Sequence, residues 1–347
     1  MTQPASHHIP VETLRSQVTA IFLKSGLPRG SAEAVANVIT DAERDGCKSH
    51  GIYRIEGCLQ AIAAGHAKVD ATPVLHPGEG AILEVDAGGG FSNAAFETAR
   101  APLAARAREL GLAALVIRDC LHFSALWHEV ETLAEEGLAS LSMCPSYAFV
   151  APAGGSKPLL GTNPLAFGWP RPGPHPHVFD FATSMTARGE IELHRRAGTP
   201  IPEGWAVGSD GQPTTDPDVA LSGAMLPFGE HKGSAISTMI ELLSGAMLGE
   251  FMSREALDFT QGRPLLPRHG ALILAMDPAR FSARSGRDPI AEGERLLTAF
   301  GLQGARLPSE RRFAARKAVL SDGIVLDAAE MAQLDRFVAL GLEALTP

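Results

Sequence analysis

Short continuous apolar runs alternate with longer segments of helical period along this chain of 347 residues. That alternation constrains the fold more than any other feature. Leu112–Ile117 is apolar without interruption, as a strand buried on both faces must be, and Leu138–Met143 reads as another buried strand. Ile82–Val85, Phe167–Trp169, Val178–Ala182 and Leu272–Met276 also read as strands. Between them, Val11–Lys24 carries apolar residues at Val11, Leu14, Val18, Ile21 and Phe22, one face of a helix that Gly26 ends. Ser31 reads as the N-cap of a helix over Ala32–Arg44. Further helices are predicted over Tyr53–Ala64, Asn93–Leu110, Leu126–Glu136, Ala235–Leu248, Ile290–Phe300 and Ala328–Leu345. The last has Asp327 as N-cap and Glu330 at capping-box spacing. Glu203–Pro217 reads as turns. The expected class is α/β.

Composition narrows the function. A net charge of −9 argues against a general nucleic-acid binder. The apolar stretch Ile236–Leu248 is broken by Glu241 and is too short to span a bilayer. The polar start Met1–Pro10 lacks the pattern of a signal peptide. Cys47, Cys58, Cys120 and Cys144 form no C-x-x-C pair and read as reduced thiols of a cytoplasmic protein. Gly88-Gly89-Gly90-Phe91-Ser92-Asn93 lacks the last glycine of a dinucleotide fingerprint, so a Rossmann site is not expected. No G-x-S-x-G is present. His175-Pro176-His177 and His128-Glu129 have no second half at ligand spacing, so no metal is expected.

Several clusters could carry chemistry. Gly229-Glu230-His231-Lys232-Gly233-Ser234 precedes an apolar helix, where close-approaching amides and the helix dipole suit a phosphate. A tight turn with Lys232 in water fits the same residues. Ser49-His50-Gly51 offers an imidazole for proton transfer, and Arg54, four residues on, would share a helical face with His50 and could fork onto a carboxylate. A simple helix cap at Ser49 fits as well. Gly161-Thr162-Asn163-Pro164 is a turn whose Thr162 hydroxyl could meet a ligand. Glu190 is either a partner for a catalytic histidine or a solvated carboxylate. The run Arg306-Leu307-Pro308-Ser309-Glu310-Arg311-Arg312 could hold a phosphate or merely face water.

Together with Leu121-His122-Phe123-Ser124, Asp180-Phe181-Ala182-Thr183-Ser184, Ile201-Pro202-Glu203-Gly204-Trp205, Pro213-Thr214-Thr215-Asp216-Pro217 and Pro227–Gly233, these segments occur in an order that resembles one family along nearly the whole chain. It is the malate/L-lactate dehydrogenase family of the non-Rossmann, L-sulfolactate dehydrogenase-like type. Within it, Cys47–Arg54, His122–Trp127 and His231–Ser234 are most similar to the reductases of Δ1-piperideine-2-carboxylate and Δ1-pyrroline-2-carboxylate.

The resemblance implies an α/β fold with a helix-rich part, residues 1–115 plus about 300–347, for substrate and dimer contacts. Residues 116–300 would bind NADPH, with NADH as an alternative. It implies a homodimer that reduces cyclic imino acids. His50 would donate the proton with Ser49 and Glu190 as relay partners; Arg54, Thr162, Arg188 and Gly189 would hold the substrate. His122, Phe123, Ser124, Ala125, Leu126, Asp180, Phe181, Ala182, His231, Lys232 and Arg306, Leu307, Pro308, Ser309, Glu310, Arg311 and Arg312 would line the cofactor site. Phe123, Leu126 and Trp127 are expected to give the substrate pocket an apolar wall suited to a ring. The rival readings are a 2-hydroxy acid dehydrogenase of the malate, lactate, ureidoglycolate or sulfolactate kind, and a binding protein without turnover.

Overall fold

In the computed structural model, residues 6–123, 125–263 and 265–345 are described. A seven-stranded sheet runs in the order β2 (Val74–His76), β3 (Ile82–Asp86), β4 (Leu112–Leu121), β11 (Arg268–Met276), β5 (Ala139–Met143), β6 (Leu165–Trp169), β7 (His177–Phe181). Only β3 and β4 pair in parallel, and the helical crossover α4 (Ser92–Leu110) joins them. Every other neighbouring pair is antiparallel.

The apolar runs are buried on both faces. Along β4, Ala113, Leu115 and Ile117 pack with α4 and α5 (Trp127–Glu135) on one side. Ala114 and Val116 point to the other side, where Ile240 and Leu248 cover the sheet. Strand β4 is continuous through residues 115 and 116, and β3 and α4 share its core, so the expected domain boundary falls inside a strand.

A second core is helical. It is built from α1 (Val11–Lys24), α2 (Arg29–Arg44), α3 (Tyr53–Ala63) and α13 (Ala328–Leu340), closed by the antiparallel pair β1 (Ser6–Ile9) and β12 (Ile324–Asp327). A third, smaller core joins α6 (Arg188–Ala197) and α7 (Pro217–Ser222) to the sheet β10 (Ala224–Met225), β8 (Ala206–Val207), β9 (Pro213–Thr214). The remaining helices are α8 (His231–Ile240), α9 (Ser253–Phe259), α10 (Pro278–Ser282), α11 (Pro289–Leu302) and α12 (Glu310–Asp322).

Three local expectations are corrected. Helix α2 starts at Arg29, so Ser31 lies inside it, buried, and caps nothing. The helix expected from Ala235 starts at His231, turns π-helical over Glu241–Gly245 and ends as a 3₁₀ turn at Leu248. Glu203–Pro217 contains the short strands β8 and β9. The arginine run enters a helix at Glu310. The capping box at Asp327 and Glu330 is present. No single described helix is long and apolar enough to cross a membrane.

Candidate active site

The chain leaves α2 at Arg44 and makes a 3₁₀ turn, Lys48–His50, before α3 begins. Ser49 Oγ lies 3.0 Å from His50 Nδ1. A hydroxyl donating there puts the imidazole proton on Nε2. Arg54 does not share a helix with His50, as the spacing predicts; it stands in the first turn of α3 and its Nε donates to Ser49 O at 2.7 Å. Among the described residues its terminal nitrogens have no protein partner, so the guanidinium fork stays open. Burial, and then the Arg54 charge, push the His50 pKa down to about 3.

His122 joins this group. Burial and the charges of His269, His50 and Arg54 hold its pKa near 3 as well, and its ring stacks on His269 at 5.8 Å. His269, which the sequence did not single out, donates from Nδ1 to Gly270 O at 2.8 Å. That leaves its Nε2 as a buried acceptor without a partner among the described residues. Burial lowers the His269 pKa to about 4, so the native state refuses a proton that the unfolded chain accepts near its ordinary value of about 6.5. The resulting stability is complete above the unfolded pKa and is lost as pH falls towards 4. His269→Asn is therefore expected to narrow the gap in urea-unfolding free energy between about pH 7.5 and about pH 5 by about 2 kcal/mol relative to wild type. An unchanged gap refutes the assignment.

Thr162 is held by the segment that follows β7: its carbonyl accepts from Thr183 N at 2.8 Å and from Thr183 Oγ1 at 3.1 Å. The neighbouring Asn163 is more than a turn residue. It is fully buried, with Nδ2 donating to Ser237 Oγ at 2.9 Å and to Glu241 Oε1 at 2.8 Å, and Oδ1 accepting from Ser253 Oγ at 3.0 Å. Glu241 also takes Ser253 N at 2.9 Å from within the π-helical turn. This hub ties the Thr162 loop to α8, and the sequence reading missed it. Arg188 donates to Leu221 O at 3.1 Å and stacks 3.9 Å over the Phe149 ring. Gly189 follows it in the first turn of α6, partly buried. Glu190 is exposed beside them, and no hydrogen bond or ion pair joins it to His50 among the described residues.

The expected cofactor residues separate into two groups. Asp180 accepts from the Trp127 amide at 3.0 Å, capping α5 from a neighbouring strand. Burial raises its pKa to about 6 against those amides and Arg312. Phe181 is half-exposed and stacks on Phe179 at 5.3 Å, with Ala182 partly buried after it. Ala125 is partly buried, and Ser124 lies outside the described residues. Phe123 is a core residue packed edge-on to Phe91 in the helical cluster. Leu126 and Trp127 belong to the sheet core. The expected apolar wall is corrected: these three side chains stabilise the two cores.

His231 and Lys232 open α8 and are exposed. The amides of Lys232 and Ser234 close back onto Gly229 O and Glu230 O, both at 3.1 Å. A Cβ on Gly233 would stand 2.2 Å from Phe228 O, so only glycine lets the helix start against that backbone.

In the arginine run, Arg306 and Arg311 are exposed and make no ion pair among the described residues. Arg312 is different. It is buried, bonds Asp45 Oδ2 at 2.7 Å and Glu131 Oε2, and lies 4.1 Å over the Trp127 ring. Arg316 completes the cluster, bonding Asp45 Oδ1 at 2.9 Å and Glu131 Oε1 at 2.5 Å. Burial would raise the Asp45 pKa, but Arg316 and Arg44 hold it below the usual range. Arg312 is therefore a structural ion-pair residue and is not free to meet a ligand phosphate. Ser309 stands at a left-handed φ of 64° where α12 begins. Leu307, Pro308 and Glu310 line a cavity of about 240 Å³ with His175, Phe313 and Arg171.

The profile of the family described as malate/L-lactate dehydrogenase matches residues 9–335. A Δ1-pyrroline-2-carboxylate reductase of Agrobacterium fabrum is 59% identical over 339 residues, 97% of this chain and 98% of that protein. A Δ1-pyrroline-2-carboxylate/Δ1-piperideine-2-carboxylate reductase of Pseudomonas aeruginosa is 48% identical over 316 residues, 91% and 95% of the two chains. The crystal structure of Δ1-piperideine-2-carboxylate reductase from Pseudomonas syringae pv. tomato matches with a TM-score of 0.91 at 39% identity, covering 95% of this chain and 99% of that one. Sulfolactate dehydrogenase from Methanocaldococcus jannaschii matches with a TM-score of 0.81 at 25% identity, covering 97% and 99%. The family profile, the extent of these matches and the shared fold lead to one conclusion: the chain belongs to the malate/L-lactate dehydrogenase family, of the non-Rossmann, L-sulfolactate dehydrogenase-like type.

Proposed function

We propose that this oxidoreductase uses NADPH to reduce cyclic imino acids, Δ1-pyrroline-2-carboxylate to L-proline and Δ1-piperideine-2-carboxylate to L-pipecolate. The observation that carries the reading is the 59% identity, over 97% of the chain, to a protein named for the first of these reactions. The open fork of Arg54 beside the Ser49–His50 pair supports it, since a 2-carboxylate next to a C=N bond needs both. Arg54 takes the carboxylate and fixes the imine carbon for attack. A reduced nicotinamide, when bound, would supply the hydride for that carbon. His50, protonated on both ring nitrogens, gives its Nε2 proton to the nitrogen and is left neutral, with Nδ1–H facing the Ser49 hydroxyl. The bound carboxylate neutralises Arg54, one of the two causes that depress the His50 pKa, so His50 gains proton affinity when substrate is present. Thr162 and Arg188-Gly189 close the substrate side.

The residues present fit the cofactor. Arg306 and Arg311 make no ion pair among the described residues and are chain neighbours of Leu307 and Glu310, which line the cavity of about 240 Å³; two free cations there suit an adenosine 2′-phosphate. His231 and Lys232 at the start of α8 suit the pyrophosphate. A preference for NADPH over NADH follows. Arg306→Ala and Arg311→Ala are each expected to reduce it by about tenfold or more, since a charge-assisted hydrogen bond contributes about 1.5–3 kcal/mol. Equal use of both cofactors by the wild type, or a ratio unmoved in both variants, refutes the arginine assignment.

A spectrophotometric NADPH-oxidation screen tests the substrate class. Efficiency on the two cyclic imines is expected to exceed that on pyruvate or oxaloacetate by at least about tenfold. Better turnover of the oxo acids would move the assignment to the hydroxy-acid dehydrogenases of the same family.

A homodimer in the cytoplasm goes with this reading. Leu296, Phe300 and Leu302 on α11 are exposed and offer apolar contact area. The division into a helix-rich part and a cofactor part is also retained, with the helical core drawn around β1, α1, α2, α3, β12 and α13.

A further inference from the structure

We propose that Glu43 is the positioning residue of the Ser49–His50 pair, gripping from both ends the turn that carries them. The inference rests on the reading of His50 as the proton donor. Glu43 stands in the last turn of α2 with its side chain only 1% exposed. Its Oε1 accepts the Ile52 amide at 2.9 Å, just beyond the turn. Its Oε2 lies 2.8 Å from Lys48 Nζ, at the start of the turn. Lys48 is itself held on the far side, by Val325 O at 3.3 Å and Glu330 Oε1 at 3.5 Å. One buried carboxylate thus ties residues 48 and 52, and the two reactive side chains lie between them.

The same contact explains the glycine after His50. Gly51 has φ −85°, outside the left-handed region that favours glycine. A Cβ at Gly51 would instead stand 2.1 Å from Glu43 Oε1, 2.5 Å from Cδ and 2.7 Å from Cγ. The missing side chain is the space that the carboxylate occupies. Glu43 makes no hydrogen bond or ion pair with His50 or with the Arg54 fork among the described residues, so its effect on the reaction passes through the turn.

A double-mutant cycle tests this. Glu43→Ala, Gly51→Ala and the double variant are measured with NADPH and Δ1-pyrroline-2-carboxylate, beside His50→Ala. Each single change is expected to lower kcat by about 10–100-fold, the scale of a misplaced catalytic group, with KM for NADPH within about twofold of wild type. In the Glu43→Ala background the space for a Cβ is open, so Gly51→Ala should cost little more, and the two effects should not add. Glu43→Gln, which keeps the volume and the acceptor for Ile52, should restore most of the lost kcat. If Glu43→Ala does not fold, Glu43→Asp withdraws the charge by one methylene and carries the same two expectations: lower kcat, and tolerance of Gly51→Ala. Additive losses overturn the proposal, as does full kcat in a folded Glu43→Ala or Glu43→Asp. Loss of turnover in His50→Ala with normal turnover in the Glu43 variants sinks this inference alone. Normal turnover in His50→Ala sinks the underlying reading of His50.

Discussion

His50→Ala is expected to lower turnover of the cyclic imines by about 10²–10⁴-fold, the usual contribution of a positioned acid or base, while NADPH binding stays close to wild type. The expectation comes from the turn that ends α2. His50 is the imidazole paired with a serine hydroxyl, at 3.0 Å, and it sits beside an arginine whose fork is open. The other two imidazoles of the group are placed differently: His122 is buried against His269, and His269 is bonded to Gly270 O. Steady-state kinetics with NADPH saturating, together with fluorescence titration of the cofactor, separate the two quantities. Near-normal turnover in a folded variant would remove His50 from the chemistry. Ser49→Ala tests the same pairing more gently, since it removes only the group that sets the tautomer.

Arg312→Ala is expected to destabilise the protein by about 3–5 kcal/mol, the cost of removing one partner from a buried ion cluster. Asp45 would keep Arg316 and Arg44, Glu131 would face Arg316 alone, and the contact with the Trp127 ring would be lost. The cluster joins the end of α2, the helix α5 and the start of α12, so it holds the helical core to the sheet core. Urea unfolding measures the loss. The contrast with Arg311→Ala gives the test its force: Arg311 is exposed and should change cofactor preference with little change in stability. A stable Arg312→Ala that shifts the NADPH to NADH ratio would reverse the two roles.

The two arginines also show where sequence reasoning reaches its limit. Local signals were legible. The uninterrupted apolar run of β4 states that both faces are covered, and Ala113, Leu115 and Ile117 do face one layer while Ala114 and Val116 face the other. Asp327 and Glu330 satisfy helix donors within three residues of each other, so their capping box is a property of the segment itself. The order of the motifs from Ser49 to Arg312 was enough to indicate the family. What could not be read is whatever depends on a distant partner. Arg311 and Arg312 are neighbours in the chain, yet Asp45, 267 residues away, claims only the second. Phe123 and Trp127 are aromatic in any fold; only the packing of Phe91 and Arg312 against them turns them from a pocket wall into core. Ser31 has the character of a cap, but tertiary packing lets α2 begin at Arg29 and buries the hydroxyl inside it. The glycine of Ser49-His50-Gly51 looks like a turn residue until Glu43 is seen in the space beside it. Periodicity and capping act over a few residues and are written in the chain. Burial, and the choice of which charge is paired, are set by side chains that meet only once the helical and sheet cores have closed on each other.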